Sequence, residues 1–209
     1  MNPPKLDSDN NKRRLEALSD GIFAITMTMM IIDLKVPENS FHNLSPDELN
    51  AALLSLIPSV KSYILSFFIL GIFWMRQQIQ LNSFFSANMY SIVVYILFLL
   101  LIGFVPFNVN LIKRYPDYHI PFILYTLNLL LISIIMFFNS YFYSRNKSKK
   151  DELKDPEKSE KFVLFSGITI IIFLSGFIVS FFDVEIAFYL LMLDPVFFFL
   201  YRKFNRVIS

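Results

Sequence analysis

The sequence contains no cysteine and little charge. Without cysteine the chain can form neither a disulfide bond nor a cysteine metal site, and catalysis by a thiol is excluded. Only 17% of its 209 residues are charged, whereas soluble domains average about a quarter. These shortages argue against a disulfide-stabilised scaffold and against an ordinary soluble domain.

Apolar residues are correspondingly abundant. They form 55% of the chain, and 25 residues are phenylalanine. They fall in long blocks with almost no charge, and a helix needs about 20 such residues to cross a bilayer. Backbone groups in lipid must bond within their own segment, so the blocks predict helices and not barrel strands. We therefore predict an all-α integral membrane protein with six transmembrane helices, at residues 15–34, 57–75, 89–105, 120–143, 162–182 and 186–201.

The distribution of Lys and Arg predicts the orientation of these helices. Fifteen of the 19 Lys and Arg residues fall on the side that holds both termini, which the positive-inside rule identifies as cytoplasmic. We expect a multi-pass protein of the cell membrane. It should have a cytoplasmic tail at residues 1–11, one transmembrane domain at residues 12–209, and within that domain a basic cytoplasmic linker at residues 144–161.

The first connection, on the opposite side, contains a helix-start signal. Ser45 precedes Pro46, and Glu48 follows Ser45 by three positions. This is the pattern of a capping box followed by proline in the first helical turn. It predicts a short extracytoplasmic helix that leads into the second span.

The most unusual segment lies at the cytoplasmic start of the first span. Arg14, Glu16, Ser19 and Asp20 place four ionisable or strongly polar side chains there. Such groups are costly near lipid and usually face water or a protein partner. A simpler interpretation is a positively flanked helix start with Ser19 or Asp20 as its N-cap. Apolar residues on both sides of Asp20 make that interpretation less suitable for this carboxylate.

This segment resembles the signature of the transmembrane protein 175 family. The family comprises endosomal and lysosomal potassium channels and their single-repeat prokaryotic relatives. Its signature reads Arg-x-x-x-Phe-Ser-Asp-Gly, then an aliphatic residue, Phe-Ala-Ile and a later Thr. The resemblance covers the first half of the chain, since it continues through Ser66-Phe67, the Gly-Ile-Phe-Trp run that ends at Trp74, and Pro106-Phe107. The matching signature positions are Arg14, Ser19, Asp20, Gly21, Phe23, Ala24, Ile25 and Thr28.

Three positions depart from the family's pattern. Leu18 replaces the usual Phe, Gln77 lies where the family often has a His after Trp74, and Tyr95 lies where it often has an Asn. We therefore expect the polar contacts among the first three spans to be rearranged. Proton-related behaviour inferred from that His does not extend to this chain. Trp74 itself is expected to anchor the second span at the membrane interface and to pack against its neighbours.

Span one also carries an aliphatic stripe formed by Ile25, Met29 and Ile32. At about 100° per residue these side chains share one side of the helix, with Thr28 at its edge. Spacing alone indicates packing or lipid contact. The resemblance implies instead that span one lines a central pore and that the three side chains narrow it, as a hydrophobic gate that dewets. The chain has no Thr-Val-Gly-Tyr-Gly filter loop, so Thr28 is the candidate for ion selectivity.

The resemblance thus implies a potassium-permeable channel, built in the lipid bilayer as a homo-oligomer and more specifically as a homotetramer. Its permeant ion is potassium, and we expect no other cofactor, no metal site and no nucleic-acid partner. The residues of its structural motif are then Arg14, Ser19, Asp20, Gly21 and Trp74.

Other functions remain as alternatives. A secondary transporter with a midplane site is one, although no matched pair of Gly or Pro interruptions is visible in the sequence. A membrane-embedded hydrolase is least favoured, because no His lies deep in a span and no His-Glu-x-x-His motif occurs, so we expect no enzyme. Asp194-Pro195 in the sixth span leaves two interpretations: a kink whose carboxylate pairs with a neighbour, or a role in ion handling.

Single cysteines test the predicted topology, because the chain has none of its own. Ser8→Cys and Ser148→Cys lie on the predicted cytoplasmic side and should resist an impermeant thiol reagent applied from outside. Asn43→Cys lies in the first extracytoplasmic connection and should react, which makes it the positive control. Labelling of Ser148→Cys in intact cells contradicts the six-span orientation.

Overall fold

The structure is a computed structural model that describes residues 8–32, 45–84, 89–145 and 156–208. Within these residues the chain forms one short helix, α2, and six long ones. In chain order they are α1 (Ser8–Ile32), α2 (Pro46–Ser55), α3 (Ile57–Phe84), α4 (Met89–Arg114), α5 (His119–Arg145), α6 (Pro156–Val179) and α7 (Val184–Ile208).

The length and apolarity of these helices mark a multi-pass membrane protein. Large apolar side chains lie on the outer surface along all six long helices, where a soluble protein has polar ones. Val163–Val179 of α6 is apolar but shorter than a full span. Four described segments are long and apolar enough to cross a bilayer: Lys12–Ile32, Pro46–Leu81, Ser91–Arg114 and His119–Phe142. The predicted all-helical membrane fold is confirmed.

Each predicted span overlaps one long helix, but the helices extend beyond the apolar blocks. α1 begins at Ser8, inside the segment predicted as a tail. α5 reaches Arg145 and α6 begins at Pro156, both inside the predicted linker. Residues 1–7 of the predicted tail and residues 146–155 of the predicted linker lie outside the described residues.

The predicted end of the third span was wrong. α4 continues through Pro106 to Arg114. Proline removes one donor from the helical ladder, but a membrane helix can continue where neighbouring groups bond the carbonyls around the break. Asn128 of α5 donates to the carbonyl oxygen of Leu101 over 3.1 Å, one residue before Ile102, whose carbonyl loses its helical donor at Pro106. The proline therefore lies inside a helix.

Arg76 is a second correction. The predicted second span ends at residue 75, which places Arg76 among the Lys and Arg residues of the cytoplasmic side, but Arg76 lies buried inside α3, which continues to Phe84. The helix stays in the protein interior at this point because the guanidinium pairs with Asp194 of α7. The other Lys and Arg residues keep the asymmetry that predicts the orientation.

The short helix α2 forms as its start signal predicted. The backbone N–H of Ser45 donates to the carboxylate of Glu48 over 2.8 Å, and the N–H of Glu48 donates back to the Ser45 hydroxyl over 3.3 Å. This reciprocal capping box satisfies two donors that a helix start leaves open. α2 then turns at Leu56 into α3.

Helix α3 occupies the centre of the bundle. It packs against α1, α4, α5 and α7, whereas α1 packs mainly against α3 and α4. α6 lies between α5 and α7, and α6 and α7 approach closely: a Cβ added at Gly176 lies 2.9 Å from the Cδ2 of Leu191. The fully buried core side chains come from α3, α4, α5 and α6 among others. They include Ile69, Phe73, Ile102, Leu129 and Phe173.

Candidate functional site

Helix α1 has one buried side. Its inward side chains recur every three or four residues, which is the period that places them along one side of a helix. They pack against α3 and α4, and Phe23 lies 6.2 Å from the ring of Phe98 on α4. The buried residues of this side are Leu15, Ser19, Phe23, Thr26 and Met30.

The predicted aliphatic stripe lies on the uncovered side of α1. The exposed fractions of its side chains are 60% for Ile25, 51% for Met29 and 70% for Ile32. No other described part of the subunit covers them, so they face either lipid or another molecule. Gly21 lies on the same side, and a Cβ added there meets no atom within 4 Å. Packing within the subunit therefore does not explain the stripe.

Thr28 lies beside this stripe and is also exposed. Its hydroxyl lies 2.8 Å from the carbonyl oxygen of Ala24 and 2.9 Å from that of Ile25, so it donates within its own helix. With the proton held inward, the oxygen presents its remaining lone pairs outward. This is the polarity that a cation requires of a ligand.

Asp20 ties the N-terminal half of α1 to α3. Its Oδ1 accepts one hydrogen bond from the indole nitrogen of Trp74 and one from the amide nitrogen of Gln78, each over 2.8 Å. Hydrogen bonds to a charged acceptor are stronger than neutral ones. The structure thus brings together two of the predicted motif residues, Asp20 and Trp74, and adds Gln78, which the sequence did not single out.

Ser19 makes the second tie, deeper in the bundle. Its hydroxyl donates to the Oε1 of Gln77 on α3 over 2.7 Å, and Ser19 itself is completely buried. The amide nitrogen of Gln77 donates in turn to the hydroxyl of Tyr95 on α4. Two of the three positions that depart from the family's pattern, Gln77 and Tyr95, therefore bond to each other, and with Ser19 they join α1, α3 and α4. The expected rearrangement is an uncharged chain of Ser, Gln and Tyr.

Arg14 does not join this network. It is exposed on α1, and the structure gives it no hydrogen bond or ion pair with any described residue. The ion pair nearest to it in sequence is between Lys12 and Glu16, over 3.8 Å. At the other end of α1, the Lys113 ammonium donates to the carbonyl oxygen of Met30 over 3.3 Å. α1 is thus tied to α3 near its middle and to α4 near its C-terminal end, without Arg14.

The sequence analysis did not identify the partner of Asp194, which is Arg76. Its carboxylate, fully buried in α7, accepts from Arg76 over 2.9 Å and from the hydroxyl of Thr169 on α6 over 3.0 Å. Of the two interpretations left open for Asp194, the structure shows the one in which a neighbour pairs with its carboxylate. The helix continues through Pro195.

The hydrogen bonds around Ser19 and Asp20 hold α1 in place against α3 and α4. The polar groups around Asp20 and Ser19 bond to one another across helices. On the exposed side of α1, the apolar stripe is uncovered and the Thr28 oxygen lies beside it. The candidate site is therefore this exposed side, supported from behind by α3 and α4.

Comparisons with known proteins show that the first half of this chain is similar to one family of channels. Residues 14–106 match the family model of the endosomal/lysosomal potassium channel TMEM175. A potassium channel of Streptomyces collinus is 31% identical over 106 residues, 51% of this chain and 50% of that one. One of Chamaesiphon minutus is 32% identical over 103 residues, 49% of each chain. The alignments span about half the length of these relatives. They confirm the resemblance indicated by the motif around Asp20.

A likeness in fold extends over nearly the whole chain. The crystal structure of a lysosomal potassium-selective channel TMEM175 homologue from Chamaesiphon minutus superposes with a TM-score of 0.79. The superposition covers 91% of this chain and 97% of that one, at 23% identity. The second half of the chain, which resembled the family only in its hydropathy, therefore shares its fold.

The contact between Asp20 and Trp74 can be tested with the chain's own fluorescence, because Trp74 is its one tryptophan. Asp20→Ala removes both hydrogen bonds and should lower the yield of folded protein, with a loss of about 1–3 kcal/mol in stability. The indole emission should change as its donor loses its partner. Asp20→Asn keeps an acceptor oxygen and is the matched control. Unchanged emission and yield in Asp20→Ala contradict the role of Asp20 as a tie.

Proposed function

We propose that this chain, which carries the TMEM175 pattern over residues 14–106, is the subunit of a potassium-permeable cation channel. The observation that carries the proposal is the apolar stripe of Ile25, Met29 and Ile32, which its own subunit leaves uncovered. Two relatives matched over about half of this chain are potassium channels. In this proposal the protein lies in the cell membrane with both termini in the cytoplasm, since its Lys and Arg residues favour that orientation.

The pore is proposed to lie between subunits. Packed side chains such as Ile69 and Phe73 fill the centre of the bundle that the described helices form, so the pore is not placed there. Several copies arranged around an axis can enclose a path, and closed rotational symmetry is the usual arrangement of identical subunits. We propose four copies, as the family resemblance implies, with the exposed side of α1 turned toward the axis.

In such an assembly each residue of the stripe becomes a ring. An ion that passes a narrow apolar ring loses water and gains no oxygen ligand in return, so the ring acts as a barrier. Ile25 is branched at Cβ and therefore stiff, which favours a well-defined constriction. Met29 is flexible and can change the bore. Thr28 is the proposed selectivity element, because its oxygen is the polar group beside the stripe.

The motif around Asp20 serves as the support of this pore helix. Ser19, Asp20 and Trp74 connect α1 to α3 and bond to each other's helices, so they are proposed to hold the pore-lining side in position without meeting the ion. Gly21 has open space beside it and is proposed to face the pore entrance.

A secondary transporter is the rival function. Transporters of this size commonly place substrates at helices broken near the bilayer midplane. α4 and α7 each contain an internal proline, Pro106 and Pro195, yet both helices continue through it. The described helices thus supply no broken pair, which favours the channel.

Recording from the purified protein in planar bilayers tests the proposal. Unit current steps with a reversal potential that follows the potassium gradient are expected. Ile25→Asn places an amide in the ring and should raise unit conductance severalfold while weakening the preference for potassium over sodium. Ile31→Asn is the matched control, because Ile31 is 52% exposed but lies about 120° round the helix from Ile25.

The outcomes separate the alternatives. Unchanged unit current in a well-assembled Ile25→Asn protein contradicts the gate, and it indicates that Ile25 contacts only lipid or a neighbouring helix. Solute accumulation driven by an ion gradient, without unit current steps, contradicts the channel and supports the transporter.

A further inference from the structure

A buried ion pair joins α3 to the pair of helices α6 and α7. The Nη2 of Arg76 lies 2.9 Å from the Oδ1 of Asp194, and the two side chains are 2% and 0% exposed. The Nη1 of Arg76 donates to the hydroxyl oxygen of Thr169 over 2.7 Å, and that hydroxyl also lies 3.0 Å from Asp194. One guanidinium therefore contacts a side chain on each of two other helices.

Aromatic rings enclose this pair. The guanidinium carbon of Arg76 lies 4.4 Å from the ring centre of Phe165 on α6 and 5.6 Å from that of Phe198 on α7. A guanidinium over an aromatic face is attracted by the ring's quadrupole, more strongly where water is excluded. The two rings therefore help to hold the Arg76 guanidinium between α6 and α7.

Arg76 lies between two residues of α3 that bond to α1, but its side chain projects from the opposite side of the helix. Arg76 lies two residues after Trp74 and two before Gln78, so it projects about 200° round the helix from each. Trp74 and Gln78 bond to Asp20 of α1, whereas Arg76 bonds to Asp194 of α7. Within about one helical turn, α3 is therefore held from two nearly opposite sides.

Stability alone does not account for the pair. Removing two charges from solvent costs several kcal/mol each, and apolar side chains of similar size often replace such a pair without loss. Here the Nε of Arg76 and the Oδ2 of Asp194 are buried without a hydrogen-bond partner among the described residues, so the compensation is incomplete. In some proteins, buried polar or ionic groups are kept because they specify one geometry between packed helices.

We propose that the Arg76–Asp194 pair, with Thr169, positions the pore helix: it fixes the rotation of α3, and α3 fixes the side of α1 that faces the ion path. This rests on the proposed channel function. The three residues are positioning residues, because none of them lies on the exposed side of α1 or reaches the stripe. The pore's geometry then depends on α6 and α7, neither of which lines it.

The pair can be replaced without leaving a lone buried charge. Arg76→Met combined with Asp194→Leu keeps apolar bulk and should assemble, as judged by size-exclusion chromatography. If the pair positions α1, the emission of Trp74 changes and the permeability ratio of potassium to sodium falls by about 2- to 30-fold, the span of couplings through packed elements. An assembled double variant with unchanged emission and unchanged ratio overturns the proposal.

A milder variant carries the test if the double variant does not assemble. Thr169→Val removes the hydroxyl between Arg76 and Asp194 and keeps the side-chain volume. The proposal expects the same two changes, smaller in size. Thr126→Val is the matched control, because Thr126 is equally buried on α5, and its hydroxyl bonds within α5 and lies 3.4 Å from that of Ser180, without a bond to Arg76 or Asp194. Equal effects of the two substitutions, or none from Thr169→Val, overturn the proposal.

The readouts separate this proposal from the channel function on which it rests. If the unmodified protein carries no potassium current, the channel function fails. A change in Trp74 emission in the double variant or in Thr169→Val then still supports the link from α7 through α3 to α1. If the unmodified protein conducts and neither variant changes emission or ratio, the positioning role alone fails.

Discussion

Polar side chains inside a membrane must find their partners within the protein, because hydrocarbon offers none. Helix α3 is where this constraint acts most strongly. Its polar side chains point to several sides, and together they bond to α1, α4, α5, α6 and α7, so that the central helix fixes the others around it. These bonds run from Gln77 to α1 and α4, from Ser66 and Gln80 to α5, from Gln78 and Trp74 to α1, and from Arg76 to α6 and α7.

The same constraint leaves α1 with two unlike sides. Ser19 and Asp20 bond to α3, so one side is fixed. The other side carries Ile25, Met29 and Ile32, which need no partner in lipid because acyl chains are as apolar as they are. Nothing within the subunit therefore forces the stripe to be covered. Because the stripe is uncovered, several copies of the subunit can assemble with their stripes facing a common axis.

How far the sequence predicted this structure depends on whether a feature is local. The apolar blocks predicted the long helices, and Ser45 with Glu48 predicted α2, because both signals lie within a few turns. The end of the second span was placed before Arg76, since a hydropathy window cannot show that a cation is paired. Its partner Asp194 is 118 positions away in the chain. Contacts with other helices determine where α3 ends, and such contacts also allow α4 to continue through Pro106.

The central claim is that the exposed side of α1 meets its symmetry copies at a narrow axis. Ile25→Cys in this cysteine-free chain tests it most directly, by mild oxidation in the membrane followed by denaturing electrophoresis. Side chains that form a tight ring should give disulfide-linked dimers of the subunit. Phe138→Cys, similarly exposed at 51% but on α5, should stay monomeric. Monomers only from Ile25→Cys, under conditions in which the thiol reacts with a small reagent, contradict the account.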